Sequence, residues 1–317
     1  MTKSTTVMLA VAVVVLALVP LVGSGYVLHL GTVVFYYAIL AACWNLLAGY
    51  VGAFSLAQVA FAGIGAYTTA LAVDDAHVPI WAGIGLALII STALGAALGM
   101  LVLRLRTIYL AIATWAFSET FHIMLGAEYG ITRGELGLSV PPLFANLEPR
   151  AYYYTFLALA IVCIGALAAV VRSPLGQFMR AIKDDELRAR SLGVDATWVK
   201  VFAFALSSGI SGLAGAFYAH YLAVLSPQLV DFNEMGKVII MVIVGGLGNF
   251  VGPLVGAAIV QVASELLRAY GEWDLVVFAL IVILIMRSST GGLAELVARV
   301  RAAISLRRKR TASDANG

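Results

Sequence analysis

Charged residues are scarce in this chain. Of its 317 residues, 12% are charged and 62% are hydrophobic, whereas soluble domains are about 25% charged and about 45–50% apolar. So few charges cannot cover a water-facing surface, which argues against a soluble enzyme, a nucleic-acid binder and a disordered chain. Helices in lipid satisfy their own backbone groups, so the composition predicts an all-α integral membrane protein.

Residues that carry metal or redox chemistry are also sparse. The two cysteines, Cys43 and Cys163, lie far apart in apolar runs, which fits neither a disulfide framework nor a CxxC site. The four histidines are scattered, and the sequence contains neither G-x-x-x-x-G-K-[ST] nor H-E-x-x-H. We therefore predict no metal, no cofactor and no nucleotide hydrolysis in this chain. The net charge of +3 is too small to indicate a nucleic-acid partner.

Apolar segments are what the sequence has in abundance. A membrane span takes about 20 residues, and about ten segments qualify, some of them short or broken. They predict one polytopic membrane domain over residues 1–290, followed by a basic tail over residues 291–317. The candidate spans are Val7–Gly23, Thr32–Tyr50, Val51–Val73, Ile80–Leu103, Thr107–Gly126, Ala151–Val171, Val201–Leu225, Gly236–Gly248, Val251–Leu267 and Leu275–Met286.

The distribution of positive charge predicts the orientation of these spans. Sixteen of the 20 basic residues fall in four segments: Lys3, Arg104 with Arg106, residues 172–200, and Arg287 to the end. The positive-inside rule places all four in the cytoplasm, and an even number of spans separates them, so both termini are predicted to be cytoplasmic. The tail is expected to lie on anionic membrane lipid. The first span could instead be a cleaved signal peptide, although Val22-Gly23-Ser24 is a poor cleavage site.

Two glycine-rich stretches interrupt the spans. In the first, a helix carrying Asn45 meets Gly49 and Gly52 and is expected to restart near Ser55, with Ser55 and Gln58 sharing a face. It is either a broken helix that lines a pathway or a turn between two spans. In the second stretch, a hairpin or a re-entrant pair is expected around the packing residues Gly245, Gly248, Gly252 and Pro253. Two such breaks in corresponding halves are typical of a pathway between repeats.

Glu119 is an acid inside the Thr107–Gly126 span. A charge near the centre of the bilayer costs about 2.5–3.5 kcal/mol on insertion scales. Glu119 is therefore expected to have a specific structural or functional role. His122 follows one helical turn later. The pair either lines an aqueous cavity or forms a structural hydrogen-bond site, and the sequence shows no chain of further acids for a proton relay.

The cytoplasmic segment 173–195 contains the start and end signals of short ordered helices. Ser173-Pro174 is typical of a helix start, Gly193 suits the position after a helix end, and Asp195 suits the next N-cap. Phe178, Ile182, Leu187 and Leu192 are available to pack. A merely solvated loop would need none of this, so we favour a docking element for a cytoplasmic partner.

Four sequence blocks together resemble the LivM-type permeases of branched-chain amino acid ABC importers. They cover residues from about 40 to 290 and are specific only in combination. The blocks are Trp44-Asn45-Leu46-Leu47-Ala48-Gly49-Tyr50 with Gly52 and Ser55-Leu56, Ala60-Phe61-Ala62-Gly63-Ile64-Gly65-Ala66-Tyr67, Ser173-Pro174-Leu175-Gly176 through Leu192-Gly193, and Gly245-Gly246-Leu247-Gly248 through Gly252-Pro253.

The resemblance implies a transport subunit of the bacterial plasma membrane, not an enzyme. Its partners would be two cytoplasmic ATPases that bind the ATP, a second related permease, and a substrate-binding protein outside. Glu186, Ala189 and Gly193 resemble the coupling motif that engages the ATPases, and Asp184 and Asp185 extend that segment. The family also includes carriers of urea or short amides, and the binding protein largely selects the substrate.

The leading hypothesis is therefore the membrane subunit of an ATP-driven importer. Its pathway is expected to be lined by Asn45, Ser55, Gln58 and Glu119, with energy arriving through Asp184 to Gly193. The alternative is an ion-coupled secondary transporter of a small polar solute, which the scarcity of intramembrane acids disfavours. A membrane-embedded enzyme is a third possibility that lacks a catalytic cluster.

Overall fold

A computed structural model describes residues 13–21, 23–102, 105, 107–144 and 148–267. Helical residues 13–21 form α1. The predicted span Leu275–Met286 and the basic tail lie outside the described residues, as does most of the amino-terminal half of the first predicted span.

Nearly all of the described chain is helical. A π-helix at Asn45–Val51 and 3₁₀ turns at Gly134–Leu136 and Pro227–Val230 interrupt the α-helices, and a two-strand ladder joins two loops. The α-helices are α2 (Gly25–Trp44), α3 (Gln58–Asp74), α4 (Ile80–Val102), α5 (Thr107–Ala127), α6 (Pro149–Arg172), α7 (Pro174–Asp184), α8 (Glu186–Ser191), α9 (Ala196–Leu222), α10 (Phe232–Gly245) and α11 (Gly252–Leu267), and the strands are β1 (Leu138–Ser139) and β2 (Val224–Leu225).

Five helices in the described chain are long and apolar enough to cross a membrane. They are α2 continued by the π-helix, α4, α5, α6 and α9. The helices α3, α10 and α11 are shorter, with 17, 14 and 16 residues, and at about 1.5 Å per residue they span less than a hydrocarbon core of about 30 Å. The protein is a multi-pass, all-α membrane protein, while ten crossings with both termini inside stay a prediction.

The helix ends follow local sequence signals. Pro149 and Pro174 occupy first-turn positions of α6 and α7, where a missing N–H costs nothing. Asp195 caps α9 by accepting a hydrogen bond from the Trp198 backbone N–H at 3.0 Å, and Gly193 follows α8 with φ +87°. These boundaries of the 173–195 segment are as predicted.

Helix α9 forms the centre of the bundle and packs most extensively on α3 and α4. It carries small residues where a larger side chain would collide with a neighbouring backbone. A Cβ on Gly215 would lie 1.9 Å from the Ala62 carbonyl oxygen of α3, and one on Gly65 would lie 2.0 Å from the Gly212 carbonyl oxygen. Such close approach is how membrane helices gain packing energy without a hydrophobic driving force.

Contacts along α9 fix the directions of its neighbours. Ser207 of α9 contacts Cys43 near the end of α2, whereas Tyr221 contacts His29 near its start, so the two helices are antiparallel. Helices α7 and α8 therefore lie at the end of the bundle where α2 ends and α3 begins, called here the α7 end. The strands lie at the opposite end, where Leu138 pairs with Leu225.

The first glycine-rich stretch differs from its prediction in where the next helix begins. The π-helix ends at Gly52 with φ +79°, and α3 starts at Gln58, so the helix does not restart near Ser55. Ser55 belongs to the connecting segment and does not share a helix face with Gln58. The physical reason is that the Trp44 indole N–H donates to the Ser55 carbonyl oxygen at 2.7 Å, which keeps this segment folded back against α2.

Candidate functional site

The two glycine-rich breaks meet at the α7 end of the bundle. The Asn45 side chain joins them, because its amide nitrogen donates to the Asn249 carbonyl oxygen at 2.9 Å and its amide oxygen accepts from the Gly248 N–H at 2.8 Å. Asn45 is 2% exposed, so both bonds form away from bulk solvent. One side chain therefore holds the α10–α11 turn against the π-helix.

Close backbone approach explains the glycines at this contact. A Cβ on Gly49 would lie 2.8 Å from the Gly248 backbone nitrogen, so only glycine lets the two breaks touch. Within the second stretch, a Cβ on Gly245 would lie 2.0 Å from the Gly252 carbonyl oxygen. Pro253 is buried as the second residue of α11, and Gly248 lies in the turn rather than on the helix. The four-residue spacing therefore packs Gly252 and Gly256, but not Gly248, against α10.

Helix α7 contacts the same junction from outside the membrane-spanning segments. The Lys183 ammonium donates to the Gly49 carbonyl oxygen at 2.7 Å, an acceptor that the irregular π-helix leaves free. The Arg180 guanidinium carbon lies 5.4 Å from the centroid of the Tyr50 ring, a cation–π distance. We call the contact of Lys183, Gly49, Asn45 and Gly248 the glycine junction. It connects the predicted coupling segment to both broken elements.

Gln58 lies deeper, between α3 and α9. Its amide nitrogen donates to the Ser207 carbonyl oxygen at 3.1 Å and to the Ser211 hydroxyl, while its amide oxygen lies 3.1 Å from the Ser207 hydroxyl. The side chain is 1% exposed. This geometry ties two helices together, and the predicted pathway role of Gln58 stays a prediction.

Ser55 is also buried, with 1% exposure. Its hydroxyl accepts from the Ala57 N–H at 3.3 Å, a local turn contact. The next amide, of Leu56, donates to the Thr114 hydroxyl of α5 at 2.9 Å. The segment between the π-helix and α3 is therefore tied to α5 as well as to α2.

Glu119 and His122 do not form the pair that their spacing suggested. The His122 Nδ1 lies 3.0 Å from the Pro227 carbonyl oxygen of the second 3₁₀ turn. Glu119 is partly exposed, and no hydrogen bond or ion pair joins it to another described residue. The Glu119 side chain is therefore accessible to the lipid, water or protein subunit that lies beside α5 in the assembled protein.

A second charged group lies where α10 begins, close to α2 and α5. The Lys237 ammonium is 2.5 Å from a Glu234 carboxylate oxygen, and the Tyr37 hydroxyl of α2 donates to the other oxygen. The Phe232 ring contacts the Trp115 ring of α5, with centroids 5.9 Å apart. We call Glu234 and Lys237, together with the Tyr37 hydroxyl that donates to Glu234, the α10 ion pair.

The residues of the α10 ion pair are not among the site residues predicted from the sequence. The signal was present, since Lys237 is a charge inside the predicted span Gly236–Gly248, and Glu234 precedes it by three residues, the spacing of neighbours on one helix face. Sequence reasoning also missed Lys183 as a junction residue. Nothing in its spacing shows that a π-helix would leave the Gly49 carbonyl oxygen available.

The segment 184–193 is held on α9 by a charged network around Glu186. Its carboxylate lies 2.6 Å from the Lys200 ammonium and 2.8 Å from the Arg190 guanidinium. Partial burial disfavours the charged carboxylate, but the hydrogen bonds from Lys200 and Arg190 outweigh this effect, so the pKa of Glu186 lies below its usual range. Asp185 caps α8 by accepting from the Arg188 N–H at 3.0 Å. Ala189 is buried, while Asp184 and Gly193 are exposed.

Three of the four apolar residues available to pack in this segment are exposed. Ile182 is buried, but Phe178, Leu187 and Leu192 are 41%, 77% and 80% exposed. The short helices bury only one narrow face against the bundle, because α8 has six residues and presents the rest outward. An exposed apolar surface of this kind is typical of a contact with another protein.

Broken helices that meet within an apolar bundle are typical of membrane transport proteins. The chain matches the family model described as the permease component of branched-chain amino acid transport systems over residues 26–286. No solved structure matches it.

Curated relatives agree with this family. The high-affinity branched-chain amino acid transport system permease protein LivM of Salmonella typhimurium is 30% identical over 88% of this chain and 72% of its own length. LivM of Escherichia coli is 30% identical over 87% of this chain and 72% of its own length. The LivH permease protein of Salmonella typhimurium is 24% identical over 80% of this chain and 90% of its own length. The chain belongs to the branched-chain amino acid permease family, which confirms the resemblance, and its relatives are transport proteins rather than enzymes.

Proposed function

We propose that this chain is the membrane-spanning permease subunit of an ATP-binding cassette importer that moves branched-chain or related amino acids into the cell. Separate cytoplasmic ATPase subunits bind the ATP, a substrate-binding protein delivers the amino acid outside, and the chain itself carries no cofactor. Its location is the bacterial inner membrane, in lipid, with ten crossings and both termini inside.

A second, related permease completes the pathway in this proposal. LivM and LivH of Salmonella typhimurium are both named as permease proteins of a high-affinity branched-chain amino acid transport system, and both resemble this chain. The partly exposed Glu119 also supports a partner, because an acid that faced lipid would be costly. Asn45, Ser55, Gln58 and Glu119 are the proposed pathway residues.

The glycine junction is the observation that carries the coupling part of the proposal. Among the contacts of α7 with the membrane bundle, Lys183 donates to the Gly49 carbonyl oxygen, and Asn45 continues this contact to the α10–α11 turn. A displacement of α7 by an ATPase would therefore move both breaks together. Asp184, Asp185, Glu186, Ala189 and Gly193 are the proposed ATPase-coupling residues, and the exposed Leu187 and Leu192 extend their surface.

Reconstitution tests the whole proposal. The chain is purified with its candidate permease partner and ATPases and placed in proteoliposomes that contain ATP, with binding protein and labelled leucine outside. We expect leucine to accumulate only when ATP, ATPases and binding protein are all present. Uptake by the single chain under a proton or sodium gradient, without ATPases, would support the secondary transporter instead.

Replacing Lys183 tests the junction within that assembly. Lys183→Met removes the hydrogen bond to Gly49 and keeps the length of the side chain. We expect about tenfold less leucine transported per ATP hydrolysed, as the loss of one charged hydrogen bond of about 1.5 kcal/mol would give. ATPase copurification should be unchanged. The matched control is Arg150→Met, which removes an equal charge from an exposed position outside the coupling segment. An equal loss in both variants would assign the effect to charge alone.

A further inference from the structure

Helix α10 begins beside the middle of two membrane-spanning helices, α2 and α5, rather than at their ends. Glu234 contacts Tyr37, which lies twelve residues into α2, about 18 Å from the start of that helix. Phe232 contacts Trp115, which is about 12 Å from the start of α5 and about 18 Å from its end. Both measures place the first turn of α10 near the middle of two helices that are long enough to cross a hydrocarbon core of about 30 Å.

The two charges at this depth form an ion pair, but their side chains remain partly exposed. The Lys237 and Glu234 side chains keep 35% and 23% exposure, although membrane-embedded charges are costly and are expected to face protein or water. The remaining exposure leaves room for a further polar group to approach both charges.

Glu119 lies on the face of α5 that contacts the start of α10. It follows Trp115 by four residues, so it shares that face of α5, and Trp115 contacts the first residue of α10. His122, one turn further, contacts Pro227 just before α10. The structure thus places Glu234 and Lys237, with the capping Asp231, at the start of α10, and Glu119 on the face of α5 that contacts this start.

We propose that the α10 ion pair is a contact site for a zwitterionic amino acid in the translocation pathway. The Lys237 ammonium receives the α-carboxylate, and the Glu234 carboxylate receives the α-ammonium, so that the pair opens as the solute arrives and closes behind it. Opposite charges at this depth compensate the solute for lost water. The inference rests on the proposed function, since it presumes that amino acids cross beside α10.

Thiol labelling tests whether this place is open to water and solute. Both native cysteines are replaced by alanine, and Gly236→Cys, whose Cβ meets no atom within 4 Å, reports beside Lys237 without disturbing the pair. The control is Ile89→Cys, an exposed position at a similar depth on α4. In the assembled complex, we expect a charged methanethiosulfonate reagent to modify Gly236→Cys about tenfold faster than Ile89→Cys, because thiols in apolar surroundings stay protonated and unreactive. Leucine transport should slow that reaction. Equal reactivity at both sites, or no effect of leucine, would overturn the inference.

A neutral double variant separates binding from a structural role. Glu234→Gln with Lys237→Met leaves no unpaired charge, and a buried pair with only a structural role tolerates such replacement. We expect the complex to assemble and leucine transport to fall about tenfold, because charged hydrogen bonds to the solute are lost. Transport equal to that of the unmodified complex would contradict the site.

The unmodified complex distinguishes the two proposals. If it transports leucine with ATP while Gly236→Cys reacts as slowly as Ile89→Cys, the contact site fails and the importer stands. If the unmodified complex moves no leucine under any condition, the proposed function fails, and the amino-acid site fails with it.

Discussion

Helices α9 and α5 are both apolar and long enough to span a membrane, but they differ in surroundings. In their most hydropathic stretches, 67% of α9 is buried within the chain, against 22% of α5. Hydropathy does not separate them, because lipid and protein interior are equally apolar. What separates them is side-chain size, since α9 carries the run Ser207-Ser208-Gly209-Ile210-Ser211-Gly212 and α5 exposes Ile108, Tyr109, Ile112, Trp115, Ile123 and Met124.

The two helices also hold different kinds of polar group. On α9, Ser207 and Ser211 bond to Gln58 within the chain, so the polarity serves internal packing. On α5, Glu119 is partly exposed and joined to no other described residue. The comparison indicates that α9 is the scaffold of this subunit and that α5 turns a functional face outward.

The largest expected effect comes from enlarging a glycine of the scaffold. Gly215→Val would place a side chain 1.9 Å from the Ala62 carbonyl oxygen, and neither backbone can move without separating α3 from α9. We expect no folded protein in detergent, measured by size-exclusion chromatography of a fluorescent fusion.

The matched change on α5 is Gly126→Val. Its Cβ would meet its nearest atom, a Glu135 carboxylate oxygen, at 3.6 Å, an ordinary contact. We expect a monodisperse protein at close to the unmodified yield. If both valine variants aggregate, β-branching in the helix rather than helix contact would be the cause, and the contrast between α9 and α5 would lose its basis.

The sequence was sufficient for the membrane class, for five of the ten predicted spans and for the helix boundaries of the 173–195 segment, because these depend on local apolar runs and caps. It was insufficient where irregular backbone creates the contact. The π-helix at Asn45–Val51 frees the Gly49 carbonyl oxygen for Lys183, and the packing of the first turn of α10 against α2 brings Glu234 to Tyr37. Neither follows from spacing, because both depend on which distant helices pack together.

A smaller effect is expected at Gln58, which links α3 to α9. Gln58→Ala removes its hydrogen bonds to Ser207 and Ser211 and leaves those groups buried, so we expect a loss of about 1–3 kcal/mol in unfolding free energy. Thermal unfolding of the purified complex measures it. Unchanged stability combined with lost transport would instead favour the pathway role proposed for this residue.

The smallest effect on stability is expected on the outward face of α5. Ile112 is 53% exposed, whereas Ile210 of α9 is 6% exposed, so the same substitution probes both helices. We expect Ile112→Ala to change the unfolding free energy of the isolated chain by less than about 0.5 kcal/mol, and Ile210→Ala to lower it by about 2–5 kcal/mol through the cavity it leaves. Unfolding of each variant in mixed detergent gives both values. A large loss in the isolated chain for Ile112→Ala would place α5 inside the scaffold, while a loss confined to copurification with the second permease would place that subunit on α5.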